Sequence, residues 1–407
     1  MCFTLLFIIS VRACNQRFCN LPEAGEFGFC DFVTAADRLT SFIIDSIISH
    51  TALRGVLRMS ENITNRPGKV TMAEIARVAN VTKSTVSLVL NNSPHRVPIS
   101  DATRQRVLEA AKRLGYRPNA AAKALATGRS NTILMVAFDL WDENFIERLK
   151  GAEEYLVPAG YSTRMCTVDA KGGLSAYTEI LRTGQADGVL LSGMATHDTY
   201  PILKELCREA DTVGVPIVSL ANAFPDEYIS IGAYVDDKDG AEKAVMHLIG
   251  HGHRRILLLG IEGQQFARNR EQGYRTALEN AGIPIDPELI VLGKPTQMWA
   301  YETTLKIAKS LDFTAMFVMI DNMAIAALSA LKASGKRVPE DCALVGFDNN
   351  EKFARFTDPP ITTIDNPFFE TGKRAAELLV DIIDKKDVKT VILPVDLVVR
   401  QSCGCPG

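Results

Sequence analysis

A small set of polar and aromatic residues sits at the ends of short apolar runs, where a hydroxylated small molecule could be held. Asp139 and Trp141 follow ILMVAF at 133–138, with Phe145 one turn further on. Asn222 follows PIVSLA at 216–221, Asp321 follows AMFVMI at 315–320, and Asp348 follows CALVGF at 342–347, while Arg270 stands at the start of a helical stretch. An aspartate accepts from vicinal hydroxyls, an arginine donates from a rigid fork, and Trp141 or Phe145 offers an apolar face to a sugar or nucleoside ring. Taken singly, each aspartate at such a turn reads equally well as a helix N-cap. Catalytic signatures are missing: there is no Gly-rich phosphate loop, Walker motif, nucleophile elbow or HExxH. His251 and His253 in GHGHRR read as helix-end and turn residues, and Cys403-Gly-Cys405 is too close for a zinc knuckle on its own. Neither a cofactor nor a metal is expected, and an enzyme reading has no chemistry to stand on.

A second set of residues is built to meet nucleic acid. KVTMAEIARVANVTKSTVSLVLN at 69–91 contains two short amphipathic helices around a tight turn. Thr71 and Glu74 form a capping box flanked by Val70 and Ile75 as a hydrophobic staple. Ala76 is small where the helices cross, Asn80 tolerates the left-handed turn, and Val86 supplies the locking apolar contact. Thr82 caps the second helix, Val86, Val89 and Leu90 face inward, and Lys83, Ser84, Ser87 and Leu88 face outward where they could read base edges. A third helix is expected from about Thr103 to Leu114, with Val107, Leu108, Ala111 and Leu114 inward and Gly115 and Pro118 ending it. Residues 69–129 hold eleven Lys or Arg against three Asp or Glu, a net of +8, whereas the whole chain is formally -3. A basic module on an acidic body is what phosphate binding by one part alone requires.

The elements that must position the first set follow from Asn131 onward. Short β-rich runs at 133–138, 189–192, 216–221, 255–260, 315–320 and 342–347 read as buried parallel strands, alternating with helices such as 240–250 and 271–282. About 270 residues of this βαβ pattern favour two α/β lobes around a cleft, with ligands at the carboxyl ends of the strands. At 407 residues, 47% apolar and 23% charged, the chain has room for two or three domains, and no apolar run approaches the ~20 residues of a membrane span. Four of nine cysteines lie in the first thirty residues, and free thiols are expected throughout. MCFTLLFIIS lacks the basic start of a signal peptide, so export is not expected. Residues 1–58 lack a coherent pattern and are expected to be non-native sequence ahead of a natural start at Met59, so 1–68 is expected to be a non-native or disordered extension.

The motifs VTMAEIARVANVTKSTVSLVLNN, ATRQRVLEAAKRLGYRPN, GHRRILLL, ARNREQGYRTAL, VPEDCALVGFDN and PPITTIDNP, in this order, resemble the LacI/GalR family of bacterial transcriptional repressors from about Lys69 to Ser402. The resemblance implies an α/β protein with a three-helix helix-turn-helix headpiece at 69–117, a hinge at 118–129, and a two-lobed periplasmic-binding-protein-like (type I) core at 130–402. The lobes are expected at 130–232 with 365–390, and at 233–364 with 391–402. Operator contacts are expected from Thr71, Thr82, Lys83, Ser84, Thr85, Ser87, Leu88, Asn91, Arg96, Tyr116, Asn119 and Lys123. In the family a hinge leucine enters the minor groove, and Leu125 occupies that position here, where an apolar wedge can unstack a base step. Effector contacts fall on Arg270 and Asp348, with Asp321, Asn222 and the Trp141 to Phe145 region lining the cleft.

Three departures qualify the carry-over. Leu88 stands where many members have arginine, so guanine recognition from that point is lost and the operator is expected to differ. Ile320 replaces an asparagine that commonly precedes Asp321. The ending RQSCGCPG lacks the leucine heptads that tetramerise some members, so a homodimer is expected. The reading is therefore a cytoplasmic repressor on a pseudo-palindromic double-stranded operator, switched by a small-molecule effector, a sugar or related metabolite, with no membrane partner. The alternative is a solute-binding transport protein or a sugar-sensing module with no DNA role.

Overall fold

The computed structural model describes residues 70–90, 99–116, 124, 127–138, 144–168, 175–193, 199–221, 229–350 and 352–405. By internal packing the chain divides into two compact units, Met1–Arg117 and Pro118–Gly407.

The first unit contains helices α1 (Met72–Ala79), α2 (Lys83–Leu90) and α3 (Asp101–Leu114). The capping box forms: the Thr71 N–H donates to Glu74 Oε2 at 2.7 Å and the Glu74 N–H to Thr71 Oγ1 at 3.4 Å. The Thr71 N–H first, and the Thr71 Oγ1 hydroxyl at 3.1 Å second, donate to the Glu74 carboxyl and hold it below its ordinary value. Asn80 turns the chain at φ 52, in the left-handed region an asparagine tolerates. Thr82 caps α2 by accepting from the Thr85 N–H at 3.1 Å. One small core holds Ile75, Ala76, Ala79, Val86, Val89, Val107, Ala110 and Ala111. Helix α3 starts two residues earlier than its apolar pattern predicts, because Ser100 caps it by accepting from the Thr103 N–H at 3.3 Å. Leu108 does not join the core; it is 44% exposed. At 100° per residue, positions 107, 110, 111 and 114 share a face that 108 leaves.

The second unit runs β1 (Thr132–Ala137), α4 (Phe145–Leu156), β2 (Ser162–Thr167), α5 (Ser175–Arg182), β3 (Gly188–Ser192), α6 (Tyr200–Val213), β4 (Ile217–Ser219), β5 (Ala233–Val235), α7 (Asp237–Gly250), β6 (Ile256–Ile261), α8 (Gln265–Asn280), β7 (Ile290–Gly293), α9 (Gln297–Ser310), β8 (Ala315–Val318), α10 (Asp321–Ala333), β9 (Ala343–Asp348), β10 (Thr362–Asp365), α11 (Phe368–Ile383), β11 (Val391–Leu393) and β12 (Asp396–Val398). One parallel sheet has the order β2-β1-β3-β4, and a short parallel pair, β5-β11, joins its β4 edge through a bridge between Ser219 and Gly232. The other sheet has the order β12-β10-β9-β8-β6-β7, parallel except for the edge strand β12. Strands β1, β3, β6, β8 and β9 are buried almost throughout, as strands covered by helices on both faces must be.

The chain passes between the lobes three times, at Asp236, at Asn366 and at Pro394. Strands β5 and β11, assigned from the sequence to the second lobe, pair with each other beside the first-lobe sheet, to whose β4 the chain just before β5 is joined by the Ser219–Gly232 bridge. Helix α11 returns to the first lobe, where Ala375, Ala376, Leu379 and Val380 pack with Ile133, Met135 and Ala152. The approach of α11 to α4 is so close that a Cβ on Gly151 would lie 1.8 Å from Phe369 O, and one on Gly372 would lie 1.9 Å from Arg148 O. Near the start of the unit, the Ser130 and Asn131 N–H groups donate to Asp187 at 2.7 and 2.8 Å, and Arg129 pairs with Asp384 at 3.1 Å just past the end of α11. Among the described residues no helix is long and apolar enough to cross a membrane.

Candidate effector cavity and recognition helix

A cavity of about 350 Å³ opens between the lobes of the second unit, at the carboxyl ends of its strands. Arg270 is the centre of its charge network. It lies on α8, which begins at Gln265 rather than near residue 271, so Arg270 sits more than one turn inside the helix and is only 3% exposed. Its Nε and Nη2 both reach Asp237 Oδ1 at 2.8 Å, its Nη1 donates to the Met319 carbonyl, and Asp348 Oδ1 lies 3.6 Å from Nη1. The guanidinium is sandwiched between Phe347, 3.5 Å from the ring centroid, and Phe266 at 4.9 Å. Burial pushes the Asp237 carboxyl up, and the adjacent Arg270 opposes that shift.

Asp321 and Asp348 close the network from β8 and β9. Asp321, 1% exposed, accepts from Thr363 Oγ1 at 2.7 Å and from the Asn350 N–H at 2.9 Å. Burial first, and the charge of Asp348 second, push its carboxyl up to about 7. Both its oxygens already have protein donors, so Asp321 ties the loop after β9 to β10 as well as lining the cavity. Asp348 ends β9 with φ 115, a conformation costly for any residue with a side chain. That backbone turns its carboxylate toward Arg270 and toward Asn366, whose Nδ2 donates to it at 3.3 Å.

Of the sequence-predicted ligand contacts, the structure brings Arg270, Asp321 and Asp348 together around one cavity. Phe145 is not among its walls. It is 1% exposed and packs in the first-lobe core with Met135 and Leu156, because the face of α4 turned to the cavity carries Asn144 and Arg148, four residues apart. Trp141, Asn222 and Asp139 lie outside the described residues. Sequence reasoning missed Arg148, Asp237, Asn322, Asn350 and Asn366, all of which line the cavity. Asp237 had a legible signal: in Asp236-Asp237 only the first caps α7, accepting from the Asp239 N–H at 2.9 Å, which leaves the second for other work. Arg148 stacks over Phe368 at 4.6 Å, holding the start of α11 against the cavity wall. Asn322 Oδ1 is a buried acceptor for which no described residue provides a donor.

In the first unit the outer face of α2 presents Lys83, Ser84 and Leu88 to solvent, with Thr85 and Ser87 half-buried. Thr71 and Thr82 are exposed at the starts of α1 and α2, and Tyr116 packs partly against the small core. Asn91, Arg96, Asn119, Lys123 and Leu125 lie outside the described residues.

A helix-turn-helix unit carried on the same chain as a two-lobed α/β receptor defines a DNA-binding regulator with a sensing domain. Residues 71–119 match the pattern of bacterial regulatory proteins of the lacI family, and residues 245–403 match the periplasmic binding protein-like domain. The chain belongs to the lacI family and is a helix-turn-helix transcriptional regulator. It is 32% identical over 339 residues to the HTH-type transcriptional regulator DegA of Bacillus subtilis (strain 168), covering 82% of this chain and 98% of that protein. It is 33% identical over 341 residues to the HTH-type transcriptional repressor CytR of Escherichia coli (strain K12), covering 82% and 96%. Among solved structures, the lac repressor dimer bound to operator and the anti-inducer ONPF superposes with a TM-score of 0.68 at 25% identity, and the complex of the regulator CelR with cellobiose with a TM-score of 0.60 at 31% identity. Each alignment covers 82% of this chain and 99% of the other.

Proposed function

We propose that this regulator is a cytoplasmic, homodimeric repressor whose affinity for a pseudo-palindromic operator is set by a sugar or related polyhydroxylated metabolite bound in the interlobe cavity. The observation that carries the reading is the convergence of Arg270, Asp237 and Asp348 on one cavity at the strand ends, beside Asn322 and Asn366. Arg270 donates one N–H from each of its three nitrogens, to Asp237 and the Met319 carbonyl, and the second hydrogens of Nη1, beside Asp348, and of Nη2 are the donors a ligand would take. Tyr234, Phe266 and Phe368 supply apolar wall, as sugar-ring recognition needs. Ile320 at the wall favours a ligand with an apolar or deoxygenated edge at that point. Similar proteins support the class: one, CelR, is in complex with cellobiose, and another, the lac repressor, with operator and an anti-inducer.

On this reading the headpiece occupies 69–117, the hinge 118–129 and the receptor 130–402. Lys83, Ser84, Ser87 and Leu88 meet base edges, Thr71, Thr82, Thr85, Asn91, Arg96, Tyr116, Asn119 and Lys123 meet the backbone or flank it, and Leu125 is the minor-groove wedge. Helix α11 links sensing to the hinge, since Phe368 and Thr371 line the cavity and Asp384, just beyond its other end, holds Arg129. A ligand that favours one lobe arrangement shifts that helix and therefore the chain leaving Arg129, with coupling of about 1–3 kcal/mol.

The test is a thermal-shift screen of sugars, sugar phosphates and nucleosides, followed by competition of each stabilising compound against genomic fragments selected for binding. A true effector raises Tm by mass action and changes fragment retention. Compounds that stabilise wild type and Asp348→Asn equally, or that never alter retention, would refute the assignment.

A further inference from the structure

At the opposite, amino-terminal ends of the second-lobe strands, three ligand-type side chains converge from segments distant in sequence. His247 and His251 are spaced i,i+4 at the end of α7, and Cys405 reaches them from the C-terminal turn, 154 residues beyond His251. The Cys405 Sγ lies 3.1 Å from His251 Nε2 and 3.8 Å from His247 Nε2, and the three ligand atoms all lie within 4.8 Å of one another.

We propose that His247, His251 and Cys405 form a zinc-class metal site that clips the C-terminal turn onto the end of helix α7. With bonds of ~2.3 Å to sulfur and ~2.0 Å to nitrogen, a tetrahedral ion places its S and N ligands about 3.6 Å apart, a separation that the two observed distances bracket. Two imidazoles and a thiolate are the donors a borderline divalent ion takes, and solvent supplies the fourth. The end of a helix adds a favourable field, because its last carbonyls concentrate negative charge beside His251, the C-cap residue.

The cysteine is delivered there by a rigid turn. Ser402 Oγ donates to Leu344 O at 2.6 Å and accepts from the Thr362 N–H at 2.9 Å, and Gly404 adopts φ +92, which a side chain would resist. Cys403, which hydrogen-bonds the Cys405 thiol, is itself buried, accepts from Thr362 Oγ1 at 3.0 Å and donates to Arg400 O at 3.5 Å, so it positions the turn beside the three ligands. His253 is held at Thr314 Oγ1, 2.9 Å away, and stays outside the set. Binding deprotonates the Cys405 thiol and releases one proton to solvent. The i,i+4 histidines were visible in the sequence, but their third partner is brought in only by the fold.

The test is titration of the reduced full-length chain with Co²⁺, followed by displacement with Zn²⁺. Wild type should take up about one equivalent with a thiolate-to-cobalt charge-transfer band, and Zn²⁺ should abolish the band and raise Tm by a few degrees. His251→Gln, at an exposed position, and Cys405→Ser should each weaken uptake at least about 100-fold while unfolding normally without metal, and Cys403→Ser should keep the band. The cysteines near the N-terminus offer competing thiols, so only uptake lost in both single variants counts in favour. No band in wild type, or a band that survives in Cys405→Ser and His251→Gln, overturns the proposal.

Discussion

Arg270 shows how a ligand contact and a structural strut can be one side chain. Its pair with Asp237 is almost wholly buried, so Arg270→Ala would strand a carboxylate in the interior and cost about 3–5 kcal/mol. Loss of ligand response in that variant would then report damage to the fold as much as to the site, and urea unfolding should show the midpoint falling accordingly. Asp348→Asn is the cleaner probe. It keeps the shape of the side chain and an acceptor for Asn366, so ligand affinity should drop tenfold or more while stability changes by less than about 1 kcal/mol. Calorimetric binding compared with urea midpoints separates the two outcomes. Asp321 adds a pH dependence whose sign is fixed by the direction of its shift. Its carboxyl titrates near 3.8 when unfolded and near 7 when folded. The stability it contributes is fully present below about pH 4 and is lost as pH rises toward 7, by a few kcal/mol at most, with no further change above that. In Asp321→Asn the slope between pH 4 and 7 should flatten; a slope identical to wild type would place the titrating group elsewhere.

Among the elements, the crossing of α4 and α11 decides where Arg148 and Phe368 stand. Gly151 and Gly372 each meet the backbone of the opposite helix, and backbone cannot swing aside as a flexible side chain would. Gly151→Ala should therefore force the helices apart, lowering stability by about 1–3 kcal/mol and weakening ligand binding through displacement of Arg148. An unchanged melting temperature would mean that the helices are held less tightly than these contacts imply. The same elements show what the sequence made legible. Strands β1, β3, β6, β8 and β9 announce themselves as apolar runs because helices cover both faces. Strand β2, STRMCT, hides because it is an edge strand with mostly exposed positions, and β5, β11 and β12, three residues each, are too short to show a period. The strand-end rule found Asp348 because it ends β9, and Asp321 because it opens α10 three residues past β8. It could not find Asn366 or Asp237, which lie where the chain passes between lobes, since only the paired sheets reveal those passages. Phe145 misled for a related reason: an aromatic residue near a strand end is as easily a core residue, and the rotation of α4 decides which.

Over the whole molecule, charge is divided as sharply as structure. Residues 69–129 carry a net of +8 inside a chain of net -3, so the acidic remainder repels a polyanion while the headpiece attracts one. Association with DNA should therefore weaken steeply with salt. If two headpieces together neutralise about six to ten phosphates, the log-log slope lies near -5 to -9. Lys83 allows this electrostatic part to be separated from reading. It is exposed at the first position of α2, where the side chain can reach a base edge or a phosphate. If Lys83 reads a base, Lys83→Ala should cost about 1–3 kcal/mol on a selected fragment, relax preference at one position of each half-site, and leave non-specific retention nearly unchanged. If it meets a phosphate, the loss should be the same on every sequence and the salt slope should become shallower by about one for each headpiece engaged. Salt titrations of the wild type and Lys83→Ala on selected and random DNA distinguish the two roles. A slope near zero for the wild type on both would mean that the basic headpiece does not meet the phosphate backbone at all.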